Sequence, residues 1–221
     1  MKSIEQQLKG EVFQKGVDWT IANIAALYNL PVLMTATFDF LNVLWRQAVL
    51  SQKLTANVYN NIKDSEIWQT FKVHAFNQVI VPVKDFQDDQ AVVMHPVRCT
   101  GNRSWRGGAP RKDDIFIEKD GAYGALNGRL PASVEAIFAI EDPVLNTTHQ
   151  VVLIREYRAV AGGTLHAPSC LVQVTQCDDD RAFRIISIQS ITSLAHLVFN
   201  KRENKYFVNS HIDLTVYNEI Y

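Results

Sequence analysis

The sequence predicts an α+β protein in which an N-terminal helical subdomain, residues 1–71, packs on a small, mostly antiparallel β-barrel or curved sheet, residues 72–221. Two observations carry that prediction. Apolar residues in the first third recur near helical spacing, every three or four positions. From residue 72 onward the chain breaks into short runs rich in β-branched and aromatic residues, separated by turn-formers. Short strands at that spacing favour a small antiparallel barrel or a strongly curved sheet.

Taken in order, Ser3 followed by Gln6 fits a capping box, and Ile4, Leu8, Val12, Ile21, Ile24 and Leu27 continue a helical stripe that Gly10 and Gly16 weaken. Asn29-Leu30-Pro31 ends one helix and starts the next, because proline has no amide to lose in a first turn. Leu33, Phe40, Leu41, Leu44 and Ala48 form an apolar stripe on that second helix. A third, short helix over 64–71 would start at Asp64, a good N-cap. Strands follow at 76–83, 134–140, 151–157, 171–174, 183–188 and 206–208. The turns between them are marked by Gly101-Asn102, Gly107-Gly108, Asp142-Pro143, Gly162-Gly163 and Asp178-Asp179-Asp180. In 134–140 the alternation places Val134, Ala136, Phe138 and Ile140 on one face and Glu135 on the other. Pro82 belongs at an edge or a strand end, since it cannot donate to a ladder. Ile191, Leu194, Ala195 and Val198 return to helical spacing for one or two turns, and Asp213 could cap a last helix ending at Tyr221.

Composition narrows the function classes. Of 221 residues, 47% are hydrophobic and 20% charged, which excludes a disordered or collagen-like chain. Lys plus Arg is 22 against 23 acids, a net charge of -1, so a globally basic nucleic-acid-coating protein is excluded while a local basic patch is not. Three cysteines make no disulfide framework and suit a reducing intracellular compartment. The start, Met1-Lys2-Ser3-Ile4-Glu5, lacks the apolar core of a signal peptide. The uncharged stretch 19–38 is broken midway by Asn29-Leu30-Pro31, which fits two buried helices better than a bilayer crossing, so no membrane partner is expected.

The most suggestive chemistry lies in residues 98–112. Arg98, Arg103, Arg106, Arg111 and Lys112 stand there with no acid among them, and Trp105 sits in the middle beside Gly101, Gly107 and Gly108. Guanidinium groups grip phosphates two-pronged, and an indole face can stack on an unpaired base. The competing reading is a surface loop whose arginines meet nearby acids, such as the Asp113-Asp114 that follows at once. Asp113 is expected to tie the loop down by accepting backbone hydrogen bonds.

Other chemistries find less support. His95-x3-Cys99 and His166-x3-Cys170 could each offer two metal ligands from one strand face, but no Cys-x-x-Cys knuckle accompanies them, and no metal or cofactor is expected. Asp88-Asp89, Asp113-Asp114 and Asp178-Asp179-Asp180 could serve a two-metal hydrolase only by converging from separate elements, whereas adjacent acids on a strand point apart. No nucleophile elbow, P-loop or dinucleotide fingerprint occurs. His196 reads as a half-buried structural histidine bonded to backbone.

In their order, Val97-Arg98-Cys99-Thr100, Ser104-Trp105-Arg106-Gly107-Gly108 and Arg111-Lys112-Asp113-Asp114-Ile115-Phe116-Ile117 resemble a segment in the C-terminal region of Plavaka-type transposon proteins, the CACTA-related elements of mushroom-forming fungi. Later stretches at 134–140, 170–174 and 188–198, with Ala195-His196-Leu197, are similar to the strands that follow in that family. Tyr206-Phe207-Val208-Asn209 with Asp213 and Glu219 resembles its closing tail, so the likeness spans residues 76–221. It departs at Ser193, where the family carries Arg, and at Lys112, where it carries Tyr. The family's acidic catalytic core, expected upstream, does not appear in this chain.

The resemblance implies a transposon-derived fragment or a domesticated remnant without strand-transfer activity, whose role is DNA-end contact or assembly with other chains. The residues themselves point to a non-catalytic accessory module, expected in the nucleus, that meets DNA through Arg98, Arg103, Trp105, Arg106, Arg111 and Lys112. Asp113, His196, Asn209 and Asp213 would have structural roles. The alternative is a protein-interaction or self-association module without nucleic-acid contact, using the apolar helices around residues 33–50.

Overall fold

The structure, a computed structural model, describes residues 7–11, 19–84, 92–100, 109–118, 126, 128–160, 171–177 and 179–209. Among these the chain forms helices α1 (Ile21–Tyr28), α2 (Val32–Leu50) and α3 (Ala56–Ser65). The strands are β1 (Gln7–Glu11), β2 (Val73–Lys84), β3 (Val92–Arg98), β4 (Asp114–Glu118), β5 (Arg129–Asp142), β6 (Thr147–Ala159), β7 (Leu171–Gln176), β8 (Phe183–Ser187), β9 (Ile191–Leu194), β10 (Leu197–Asn200) and β11 (Lys205–Asn209). Every pairing is antiparallel. The α+β class is as expected, but the sheet is not a closed barrel: its hydrogen-bonded path runs β1-β2-β5-β6-β7-β11-β10 and ends at both β1 and β10.

The helices begin and end where side chains can serve their free backbone groups. Thr20 starts α1 with a reciprocal capping box to Asn23. Asn29 ends it in the left-handed region, φ 51°, which Asn tolerates better than most residues. Pro31 then opens α2. That helix buries Leu33, Ala36, Thr37, Leu41, Trp45 and Ala48 at spacings of three and four. Of the apolar residues around 33–50 weighed as a partner surface, Leu33 and Leu41 are core, 1% and 0% exposed, whereas Val43 and Leu50 are exposed. The helix packs with Trp68 and Phe71 on Val73, Ala75, Phe138, Ile140 and Leu153 of the sheet, so helices and sheet share one core.

Three expected boundaries move. Thr55, not Asp64, caps the third helix; its hydroxyl accepts from the Val58 amide, and Asp64 lies in the helix's last turn. The inward stripe of Tyr59 and Ile62 starts ahead of Asp64, and residues 67–70 form only a 3-10 turn. Leu8 belongs to β1, paired with Val79, rather than to a helix. Gly10 costs a helix about 1 kcal/mol, and β2 offers an open edge there. The expected turns over 191–198 are strands β9 and β10. The Ser3–Gln6 capping box, Val12, Gly16 and the helix after Asp213 lie outside the described residues.

β5 is the spine of the sheet. β6 follows one of its edges from Ala132 to Asp142, while β4 and β2 share the other, β4 along 129–133 and β2 along 137–140. β3 spans the gap between them: it pairs with β2 along its length, and Cys99 just beyond it bridges to Lys112 just before β4. Pro82 lies past the last β1 pair at Ile80, where β2 has a partner on one side only.

A bulge at Glu135 changes the faces of β5. Val134 pairs with Ile154 and Ala136 with Leu153, leaving Glu135 as the extra residue. Ala132 and Val134 thus pack with Val79, Val97, Ile115 and Ile117, while Ala136, Phe138 and Ile140 face the helices. The uniform alternation expected over 134–140 fails at this point, and Glu135, expected toward solvent, is 3% exposed. Among the described residues no helix is long and apolar enough to cross a membrane.

Candidate nucleic-acid interface

The described ends of the cationic segment pair as an antiparallel stem, 98–100 against 111–113. Arg98 and Asp113 exchange hydrogen bonds: the Asp113 amide donates to the Arg98 carbonyl (2.9 Å), and the Arg98 amide donates to Asp113 Oδ2 (2.8 Å). Cys99 faces Lys112 across an antiparallel bridge. One step further, the Thr100 amide donates to the Arg111 carbonyl and the Arg111 amide to the Thr100 hydroxyl, both at 2.9 Å. Asp113 thus accepts from backbone at the base of the loop. Arg103, Trp105 and Arg106 lie outside the described residues.

Alternation along the stem sorts the remaining cations. Arg98, Thr100, Arg111 and Asp113 fall on one face, Cys99 and Lys112 on the other. On the first face Arg111 Nε donates to Asp113 Oδ1 at 2.7 Å. On the second, Lys112 Nζ meets the bulge carboxylate of Glu135. Arg111 and Lys112 are therefore already neutralised by carboxylates of their own chain. Arg98 is not: among the described residues its guanidinium has no carboxylate partner.

Behind the stem lies a crowded set of acids. Asp114, next to the Asp113–Arg111 pair, turns away from Asp113 and accepts from Tyr157 Oη at 3.4 Å. Burial pushes its carboxyl up to about 7; the hydrogen bonds from Tyr157 and Ser133 oppose that shift, and the neighbouring Asp113 and Glu135 charges add to it. Burial, followed by the charge of Asp114, raises the Tyr157 phenol as well. Asp113 and Asp114 do not converge, so they make no two-metal pair, and no group of three metal-ligating side chains occurs among the described residues.

A cleft of about 320 Å³ opens beside this junction, walled by His95, Pro96 and Arg98 of β3, by 111–114, and by 194–197 between β9 and β10. It collects residues from both faces of β3 and so follows the edge of that strand away from β2. The Ala195 amide donates to the Asp114 carbonyl (2.9 Å), which holds the far wall against β4. His95 is 6% exposed, and its Nε2 is buried without a hydrogen-bond partner among the described residues.

The expected structural residues sit at the rear of the same wall. His196 is half-buried and its carbonyl accepts from the Asn209 amide at 3.1 Å; Asn209 ends β11 and is itself buried. Asp213 lies outside the described residues. Sequence reasoning gave Glu135 no role in the site, weighed Asp114 only as an acid neighbouring the arginines or as half of a metal-binding pair, and considered His95 only as a metal ligand. One signal for Glu135 was present: it is the single charge in the apolar run 130–140. Comparison with known protein families, curated proteins and solved structures finds no match.

Proposed function

We propose that the chain is a non-catalytic, transposon-derived accessory module of the nucleus that binds nucleic acid through the hairpin bearing residues 98–112. Arg98 supplies a cation with no carboxylate partner among the described residues, and Arg103 and Arg106 supply two more. Trp105 stacks on an unpaired base or anchors the loop. Arg111 and Lys112, expected as phosphate contacts, organise the stem through Asp113 and Glu135. The single observation behind the reading is the Arg98 guanidinium, which has no carboxylate partner among the described residues and whose residue lines an open cleft. The divergence of Asp113 and Asp114 supports a binding role rather than metal-assisted hydrolysis.

Titration of a fluorescent single-stranded oligonucleotide at several salt concentrations tests this. Three phosphate contacts predict that log K falls against log salt with a slope of about two. The double variant R103E/R106E should weaken binding strongly and flatten that slope. Affinity indifferent to salt and to charge reversal would refute the reading.

A further inference from the structure

The β10–β11 hairpin joins an exposed ring to unmatched charge. Phe199 is the one exposed aromatic ring among the described residues, and Val198 beside it is exposed as well. Phe199 faces Tyr206 across the β10–β11 ladder, ring centroids 4.8 Å apart and tilted by 37°, and Tyr206 lies 5.6 Å from Tyr157. The row runs outward from buried Tyr157 through half-buried Tyr206 to Phe199, 42% exposed. β10 ends the path of the sheet, so among the described residues no strand pairs beyond it.

Two cations follow the ring at once. Lys201 and Arg202 are exposed, and neither has a carboxylate partner among the described residues. The turn's one acid, Glu203, pairs with Lys205 Nζ at 3.0 Å, so Lys201 and Arg202 stay unmatched. The turn itself is held in place: Asn200 Oδ1 accepts from the Arg202 amide at 3.1 Å, and Asn204 takes the left-handed conformation, φ 53°. Phe199 and Arg202 are separated by at most about 10 Å of chain, so the ring and both cations can serve one ligand.

An exposed π-face beside two cations suits a flexible polyanion that carries flat rings. A further β-strand fits less well, because β10 has only four residues and short edge strands are a device against edge pairing. A bilayer also fits less well, since Val198 and Phe199 are neighbours on a strand, point to opposite sides and make no single apolar face. The hairpin is continuous with the interface proposed above: Leu197, on the same side of β10 as Phe199, lines the cleft that Arg98 also lines.

We infer that the β10–β11 hairpin is a second contact for single-stranded nucleic acid, with a base stacked on the Phe199 ring and neighbouring phosphates on Lys201 and Arg202. The inference rests on the nucleic-acid reading above and extends the bound strand from Arg98 along β10.

The experiment titrates a fluorescent oligothymidylate of about twelve nucleotides against the full chain at several salt concentrations. Two further phosphate contacts raise the expected slope from about two to about three and a half. The double variant K201Q/R202Q, in which both substituted side chains are exposed and outside any ion pair, should return it to about two. Phe199→Leu should weaken binding about tenfold and leave the slope unchanged, because a stacked base releases no counterion. Unchanged affinity in Phe199→Leu overturns the inference, as does an unchanged slope in K201Q/R202Q. Phe199-dependent binding to phosphatidylserine vesicles that the oligonucleotide does not displace overturns it in favour of a membrane surface. A dimer that Phe199→Leu disperses and the oligonucleotide leaves intact overturns it in favour of self-association. If R103E/R106E loses binding while both hairpin variants bind like the native chain, the hairpin contact falls and the 98–112 interface stands. If the hairpin variants lose binding and R103E/R106E does not, the hairpin stands and the 98–112 interface falls.

Discussion

Asp142, which closes β5, and Asp114, which opens β4 beside the other end of β5, are both carboxylates withdrawn from water, yet the fold serves them in opposite ways. Burial alone would raise Asp142, but hydrogen bonds from His149, Trp45 Nε1 (3.0 Å) and the Leu145 and Val144 amides (3.2 and 2.8 Å) outweigh it and hold the carboxyl below the usual range. Asp114 has a long bond from Tyr157, some help from Ser133 and two acidic neighbours, and it rises to about 7. The first region ties α2, the sheet and the 143–146 turn into one satisfied unit. The second keeps polar capacity in reserve, in Asp114, the buried His95 and the half-buried Arg98, and that reserve is what a binding face requires.

Several substitutions break or sharpen the contrast. The largest effect is expected for Asp142→Ala, which strands the Trp45 indole N–H and two turn amides; urea unfolding should show a loss of about 4 kcal/mol. A loss below about 1 kcal/mol would mean that the helix-side unit does not depend on this carboxylate.

Asp114→Asn should act with the opposite sense and only above acid pH. Because the folded-state pKa is raised, the folded chain holds this proton better than the unfolded chain does. The stability contributed is fully present below about pH 4 and is lost as pH rises through about 7. The variant should match the native chain near pH 4 and exceed it by a few kcal/mol near pH 8, since each pH unit between the unfolded and folded pKa values is worth about 1.4 kcal/mol. Parallel stability–pH curves for the two chains would contradict the assignment.

Lys112→Met leaves the Glu135 carboxylate, 4% exposed as a side chain, without its cation. Lys112 is one-third exposed, so solvent moderates the cost to about 1–2 kcal/mol, read as a lower urea midpoint. Arg98→Gln, with no internal ion pair to break, should change stability by less than about 0.5 kcal/mol while reducing the salt slope of oligonucleotide binding by about one. A large loss of stability there would show that Arg98 is a structural residue.

The parts of this molecule legible in its sequence are those decided locally. Runs such as 76–83, 151–157 and 183–187 are strands because β-branched residues suit a pleated surface, and Asn29-Leu30-Pro31 ends one helix and starts another by its own backbone preferences. Asp113 was legible because its partners at 98 and 111 belong to the same hairpin. The bulge was not. Residues 134–140 are apolar on both faces apart from Glu135, so nothing in their pattern marks a bulge, and only the register against β6 decides that Glu135 is the extra residue. The strand identity of β1, β9 and β10 was hidden for a related reason, since each is a short segment defined by the edge it joins. The cleft was least visible of all: His95 and Arg98 meet Leu194 and Leu197 from about a hundred residues away along the chain.

The most direct test of the contrast is a pH titration of the side-chain carboxyl ¹³C resonances of Asp114 and Asp142 in one sample. Asp142 should titrate below the ordinary aspartate value of about 3.9, and Asp114 near 7. If the two carboxyls titrate together in the ordinary range, the fold does not treat its two acids differently, and the case for a polar reserve beside the cationic hairpin is lost.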